Sequence, residues 1–265
     1  MDLWEEAQIS RETERDEHGW NVMVHGPLLK ESVRKGRPFQ DNRLVQLQPC
    51  TTARIIKEYL PQRADGKVVD FCMTILPDRD GLAAEAIRRL RQDLPEMSIN
   101  HTAFEPLSKG PICVSIETKR AGSGSLKAEL QVGTWQCAQW RMLARLVADR
   151  VVAERESCEK AGSQEDAVTN PDPEEVQKRD IAEVERRLAA LPFLPCVIIQ
   201  GERWSIAATT SKPSGKTILW SDFCFGDTES MLGIWQIISG LRWLVRWSEQ
   251  VYWPWFLKQV CGLEP

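Results

Sequence analysis

Three side chains of this 265-residue sequence combine chemically useful types with positions that can bring them together: Asp70, Glu117 and Lys119. Asp70 lies in the run Lys67 to Leu76, and Glu117 and Lys119 lie in the run Ile112 to Lys119. Both runs alternate and are rich in β-branched residues, the pattern of a strand. Side chains alternate between the two faces of a strand. Glu117 and Lys119 therefore share a face with Cys113 and Ser115, and Asp70 shares one with Val68, Cys72 and Thr74. If the strands pair, two carboxylates and one ammonium meet at one spot. Such a group suits metal binding, phosphate chemistry or recognition of a cationic substrate. The competing reading is an edge strand whose charges face water.

Around this triad the sequence offers further candidates for binding a substrate. Ser115 lies on the polar face beside Glu117. His101, next to Asn100, lies just before the Glu117 strand. Gln131, Trp135, Gln136 and Trp140 fall in a long helical run after it, with Gln131 and Trp135 at i and i+4 on one helix face. Arg89, Arg91, Arg120, Arg141 and Arg145 are candidates for a basic rim. The three histidines, His18, His25 and His101, have no metal-like spacing, so a zinc site is not expected. His25 reads as structural. No Ser/His/Asp order and no G-x-S-x-G motif is present.

The elements that must position these residues come next. The formal net charge of −4 hides an uneven distribution, since residues 154–175 carry eight acidic and two basic side chains. The remainder sums to +2, so a local basic groove is compatible with the composition. With 42% hydrophobic residues the chain can bury a substantial core. Its eight cysteines form no C-x-x-C pair and read as buried free thiols in a reducing setting. The acidic start of the sequence is unlike a signal peptide, and a cytoplasmic location is expected. The most apolar stretch, Met231 to Trp247, is interrupted by Gln236, Arg242 and Arg246, so no membrane span is expected.

Residues 1–18 read as a flexible N-terminus, 19–256 as one folded domain with a disordered acidic insertion near 155–175, and 257–265 as a C-terminal tail. Helices are expected from Trp20 toward Val33, over Thr51–Leu60, Leu82–Leu90, Lys127–Val152 and Glu174–Ala190, and from Thr228 to a stop at Pro254. Strands are expected at Asp70, at Glu117, as a hairpin around Gly201 over Cys196–Thr210, and at Lys216–Trp220. Trp243 and Trp247, at helical spacing, read as core. This order gives one α/β domain with a central mixed sheet flanked by helices.

A helix, a strand bearing Asp, a strand bearing Glu-x-Lys and a long helix with a Gln131-to-Trp135 spacing resemble the PD-(D/E)xK nuclease superfamily. Trp135 stands where RecB-like branches have Tyr, and Val69 stands before Asp70 where the superfamily's name has Pro. Segments around Val69-Asp70-Phe71, Ser98 to Thr102, Val114 to Lys119, Gln131 to Gln136, Leu191 to Pro195 and Tyr252 to Phe256 are similar to fungal nuclease-like proteins of this type. Short members of that group are in turn similar to fungal arginine-containing cyclodipeptide synthases. The resemblance implies a restriction-endonuclease-like core and a catalytic trio of Asp70, Glu117 and Lys119. On the synthase reading, arginyl-tRNA and a second aminoacyl-tRNA are the partners, cyclo-Arg-Xaa is the product, and no metal or ATP is required. On the nuclease reading, Asp70, Glu117 and the Thr118 carbonyl hold Mg²⁺ while Lys119 orients or activates a water.

Overall fold

Six strands form one mixed sheet in the order β1-β2-β3-β4-β5-β6. They are Val45–Pro49, Phe71–Ile75, Ile112–Lys119, Leu194–Gln200, Arg203–Ser211 and Thr217–Asp227. The computed structural model describes residues 3–34, 44–61, 66, 68–122, 124–162, 172–213 and 215–264. Neighbouring strands are antiparallel except β3 and β4, which are parallel. A parallel pair needs a crossover. Here α5 (Ser125–Gly162) and α6 (Pro173–Ala189) provide its helices. β3 is buried at all eight positions, so both of its faces are covered, as a near-continuous apolar run implies. The expected α/β domain with a central mixed sheet is what the chain forms.

The two site-bearing strands are locked at both ends. At the start of β3, buried Asn100 donates to the Leu107 and Gly110 carbonyls, and its oxygen accepts from the Ile112 amide at 3.0 Å. At the far end the β4–β5 turn folds back, and the Gly201 amide donates to the Lys119 carbonyl at 2.8 Å. Asp70 lies one residue before β2. Its backbone still joins the ladder, since its amide donates to the Ile116 carbonyl at 3.1 Å.

A helical rod lies near this end of the sheet: α2 (Glu17–Trp20), a π turn (Asn21–His25) and α3 (Gly26–Val33). A proline inside a helix lacks an N–H and clashes with the carbonyl four residues back. Widening to i→i−5 bonds just before Pro27 accommodates it. The same device operates at the other end of the chain. There α7 (Met231–Trp247) passes through a π turn (Ser248–Tyr252) into α8 (Trp253–Phe256), so Pro254 does not stop the helix as expected.

Other expectations are corrected. Residues 3–12 are ordered as α1 (Leu3–Glu12), with Ala7 and Ser10 buried and Arg11 paired to Glu202. Thr51–Leu60 is not a helix. It holds a turn, a bridge from Ile55 to Thr102 and one 3-10 turn at Lys57–Tyr59, because the Ile56 amide donates to the His101 carbonyl instead of along the chain. Of the expected insertion, 155–162 continue helix α5, 172–175 cap and begin α6, and 163–171 lie outside the described residues. The C-terminal stretch forms a further π turn, Leu257–Cys261, with Val260 buried. Trp247 is buried as expected, whereas Trp243 is exposed. Helix α4 spans Leu82–Gln92. All eight cysteines are free. Among the described residues no helix is long and apolar enough to cross a membrane.

Gly201 has φ +59°, and a Cβ there would meet the Ala121 Cβ at 2.7 Å. Gly201→Ala should therefore lower unfolding stability by about 1–3 kcal/mol in urea titrations. An unchanged midpoint would show that the turn tolerates a side chain.

Candidate active site

The pairing of β2 with β3 puts Asp70 beside the Thr118 segment. Both Thr118 donors converge on one carboxylate oxygen: the amide at 2.8 Å and the hydroxyl at 2.9 Å from Asp70 Oδ2. Lys119 Nζ donates to Glu117 Oε1 and, at 2.9 Å, to the Thr118 carbonyl. Glu17, from α2, brings its Oε1 to 3.9 Å from the same ammonium. Asp70, Glu117 and Lys119 are thus gathered as the strand pattern predicts.

The electrostatics of this group are set by burial. Glu117 is 0% exposed, and its Oε2 has no hydrogen-bond partner. Burial, then repulsion from Asp70, push the Glu117 carboxyl up to about 8 against the opposing pull of Lys119. Burial also works against the Lys119 charge. The hydrogen bond to Glu117 and the fields of Glu117, Glu17 and Asp70 outweigh it and raise the lysine above its ordinary value. Lys119 is therefore held as an ammonium at neutral pH and places a positive charge at this spot. Glu117 titrates close to neutrality, the range in which a carboxyl can exchange protons with a reacting group.

Residues from the helical rod complete the surroundings. Asn21 Nδ2 donates to the Thr118 hydroxyl at 2.8 Å, and Asn21 Oδ1 faces His25 Nδ1 at 2.9 Å. Glu17, Asn21 and His25 were not read as site residues from the sequence. Their spacing of four along one helical run is the signal that could have found them.

The predicted substrate-binding residues are placed differently. Gln131 donates to the Val68 carbonyl, two residues before Asp70, so it supports the backbone that carries the acid. Gln136 donates to the Pro195 carbonyl and accepts from Thr209, which in turn accepts from Trp140 Nε1 at 3.0 Å. Trp135 is 0% exposed and meets His101 edge-on at 4.3 Å between ring centroids. Ser115 and His101 are likewise buried, and burial pushes the His101 imidazole down to about 3. These residues form the joint between α5 and the sheet, and all but half-buried Gln131 are buried there. The reason is geometric: the inner stripe of α5 is the core. The arginines expected at a rim are dispersed. Arg89 pairs with Glu85, Arg91 donates to the Met97 carbonyl, Arg141 to the Leu60 carbonyl, and Arg145 pairs with Asp149.

What the site can hold follows from its atoms. Asp70, Glu117 and the Thr118 carbonyl offer only hard oxygens, which suit Mg²⁺ or Mn²⁺ with water completing the shell. Among the described residues no group of three His, Cys, Asp or Glu side chains is arranged to hold a metal. A cation here would rest on two carboxylates and a main-chain carbonyl, and the unpartnered Glu117 Oε2 is the oxygen that lacks a ligand.

The family model described as the PD-(D/E)XK nuclease superfamily matches residues 1–253. No curated protein and no solved structure gives a significant match.

The raised Glu117 carboxyl has a signed consequence. The folded state keeps a proton that the unfolded chain releases near 4.5, so this group's stabilisation is complete below 4.5 and is lost as pH rises toward about 8. Wild type and Glu117→Gln should therefore diverge across that window, with the variant gaining relative stability as pH rises. Parallel pH profiles of the two unfolding midpoints would refute the shift.

Proposed function

We propose that this chain, which belongs to the PD-(D/E)XK nuclease superfamily, cleaves phosphodiester bonds of a nucleic acid with a divalent cation held by Asp70, Glu117 and the Thr118 carbonyl. The observation that carries the reading is the meeting of these oxygens with Lys119 at one end of the β2–β3 ladder. A bound cation would supply Lewis-acid stabilisation of the phosphoryl group and a more acidic water. Lys119, held charged, stabilises negative charge that develops on the phosphoryl oxygens. Its ammonium now bonds to both the Glu117 carboxylate and the Thr118 carbonyl, so it must swing off these atoms for a metal to reach them.

That same ammonium favours a second reading. Glu117 and Glu17 flank one positive group that also feels the field of Asp70, and such a seat also fits a guanidinium, which pairs well with carboxylates. The resemblance to arginine-containing cyclodipeptide synthases points the same way. On that reading the α-amine of one aminoacyl-tRNA attacks the ester of the other, an amide forms, and the tRNA 3′-hydroxyl leaves. A second, intramolecular aminolysis then closes the ring and frees the other tRNA. Asp70 or Glu117 would seat the arginine or take the amine proton, and Lys119 would stabilise the oxyanion.

Two assays separate the readings. Purified protein should cut DNA or RNA in Mg²⁺ or Mn²⁺ but not in chelator, and Asp70→Asn and Lys119→Ala should each slow cutting by about 100-fold or more. Absence of cutting by wild type, with cyclo-Arg-Xaa in extracts of expressing cells and none from the Lys119→Ala variant, would replace the nuclease by the synthase.

A further inference from the structure

Helix α7 turns one face to solvent. Leu232, Trp235, Ser239, Arg242, Trp243 and Arg246 are exposed and recur at helical spacing, while the opposite face of the helix is core. Beside this stripe the sheet is open on the same side. Phe223 and Trp220 of β6 pair with Ile206 and Ala208, on the face of β5 that also carries Trp204. That face is the one α7 covers, since a Cβ on Gly226, which pairs with Trp204, would lie 2.8 Å from Ile237 Cγ1. Between helix and strand, Ile206, Phe223, Phe225, Trp243 and Leu244 line an apolar cleft of about 350 Å³.

The size of this face is that of an interface. Trp220, Phe223, Trp235 and Trp243 are exposed by 61, 68, 58 and 47%. At about 150–250 Å² per ring they show roughly 350–600 Å² of aromatic surface, as much as the largest patch of an ordinary monomer, and Met231 and Leu232 extend it. One side of a standard protein interface covers about 800 Å², a little over half of it apolar. Composition agrees. Helix α7 has no Asp, Glu or Lys, the types depleted at interfaces, and its exposed stripe carries Trp and Arg, the types that dominate binding energy there. Two arginines are few for a nucleic acid, whose binders neutralise several phosphates.

The stripe is also complementary to itself. Trp235 and Trp243 lie four residues either side of Ser239, Gln236 and Arg242 lie three, and Leu232 and Arg246 lie seven. In an antiparallel pair of α7 helices with a two-fold axis at Ser239, each position faces its mirror position on the second copy. Trp235 then meets Trp243, Gln236 meets Arg242, and Leu232 meets Arg246. No arginine faces an arginine, and the small serine leaves room for the helices to approach at the axis. We propose that this face joins two copies of the chain as an isologous dimer, α7 against α7, with the Trp235 ring of each copy entering the Trp243 cleft of the other.

The test is sedimentation velocity of the full chain at micromolar concentration, which should give twice the mass of one chain. Trp235→Ala and Trp243→Ala, with circular dichroism to confirm folding, should each raise the dimer Kd by about 100-fold or more, because the two-fold axis counts each substitution twice. Leu126→Ala, at a side chain as exposed on α5, should leave the Kd unchanged. Ser239→Cys, treated with copper phenanthroline in air, should form a covalent dimer faster than wild type does through its exposed Cys158 and Cys224. A dimer that loses no more to the tryptophan variants than to Leu126→Ala would overturn the proposal, as would Ser239→Cys that cross-links no faster than wild type. A monomeric wild type would overturn it as well, and single-stranded RNA binding that Trp243→Ala abolishes would then assign the face to nucleic acid.

Discussion

The arrangement depends on burying a carboxyl and an ammonium together at the end of a covered strand. Glu117 and Lys119 sit two residues apart on β3, on the same face, where little water reaches either. Removing one partner of such a pair costs about 3–5 kcal/mol, because the other charge is left uncompensated. The pair therefore needs a frame that does not let it relax apart. β3 supplies it by being hydrogen-bonded on both edges, antiparallel to β2 and parallel to β4. Asn100 fixes where β3 begins, and the Gly201 turn fixes where it ends. Asp70 then adds a second negative charge to a site that already holds one. Burial first, and this second charge after it, keep the Glu117 proton well above the usual carboxylate range.

The part of this frame that is legible in the sequence is the part written in local pattern. β3 has the expected bounds, Ile112 to Lys119, because its alternation and its charged end are both local signals. The hairpin at Gly201 and helices α4 and α6 are legible for the same reason. β1 is not, since Val45-Gln46-Leu47-Gln48-Pro49 is short, half polar and closed by a proline, which only an edge strand tolerates. The helix expected over Thr51–Leu60 has adequate spacing, but its backbone is claimed by His101, nearly fifty residues away in the chain. The N-terminal helix is anchored by Trp4 bonding to the Glu229 carbonyl and by Arg11 pairing with Glu202, partners that no local window contains.

The candidate site divides along the same line. Asp70, Glu117 and Lys119 are legible because charges inside apolar strands stand out. Gln131, Trp135, Gln136 and Trp140 attract attention by type, yet a polar or aromatic residue on the inner stripe of a long helix faces the sheet. There its hydrogen bonds hold the core, as Gln136 and Trp140 do through Thr209. Thr118 is overlooked because the motif treats the residue between Glu and Lys as free. In the fold it is the residue that grips Asp70 through amide and hydroxyl at once. His25 reads as structural from sequence, and it is buried as such a residue should be, but its partners place it in the chain that ends at the site.

These contacts bear on what kind of ligand the site can accept. Three carboxylates, Asp70, Glu117 and Glu17, converge on one lysine, so the group carries excess negative charge at any pH where Glu117 is ionised. Such a group is stabilised by positive charge, and in the structure the Lys119 ammonium supplies it, bonded to the oxygens that a metal or a guanidinium would also use. A cation in this seat would have to compete with that ammonium. If displaced, Lys119 would stay tethered to β3 beside the bound group, where an ammonium can stabilise a developing anion. On the cation reading, burying the pair would tie loading of the site to release of the Lys119 ammonium from the oxygens it now bonds.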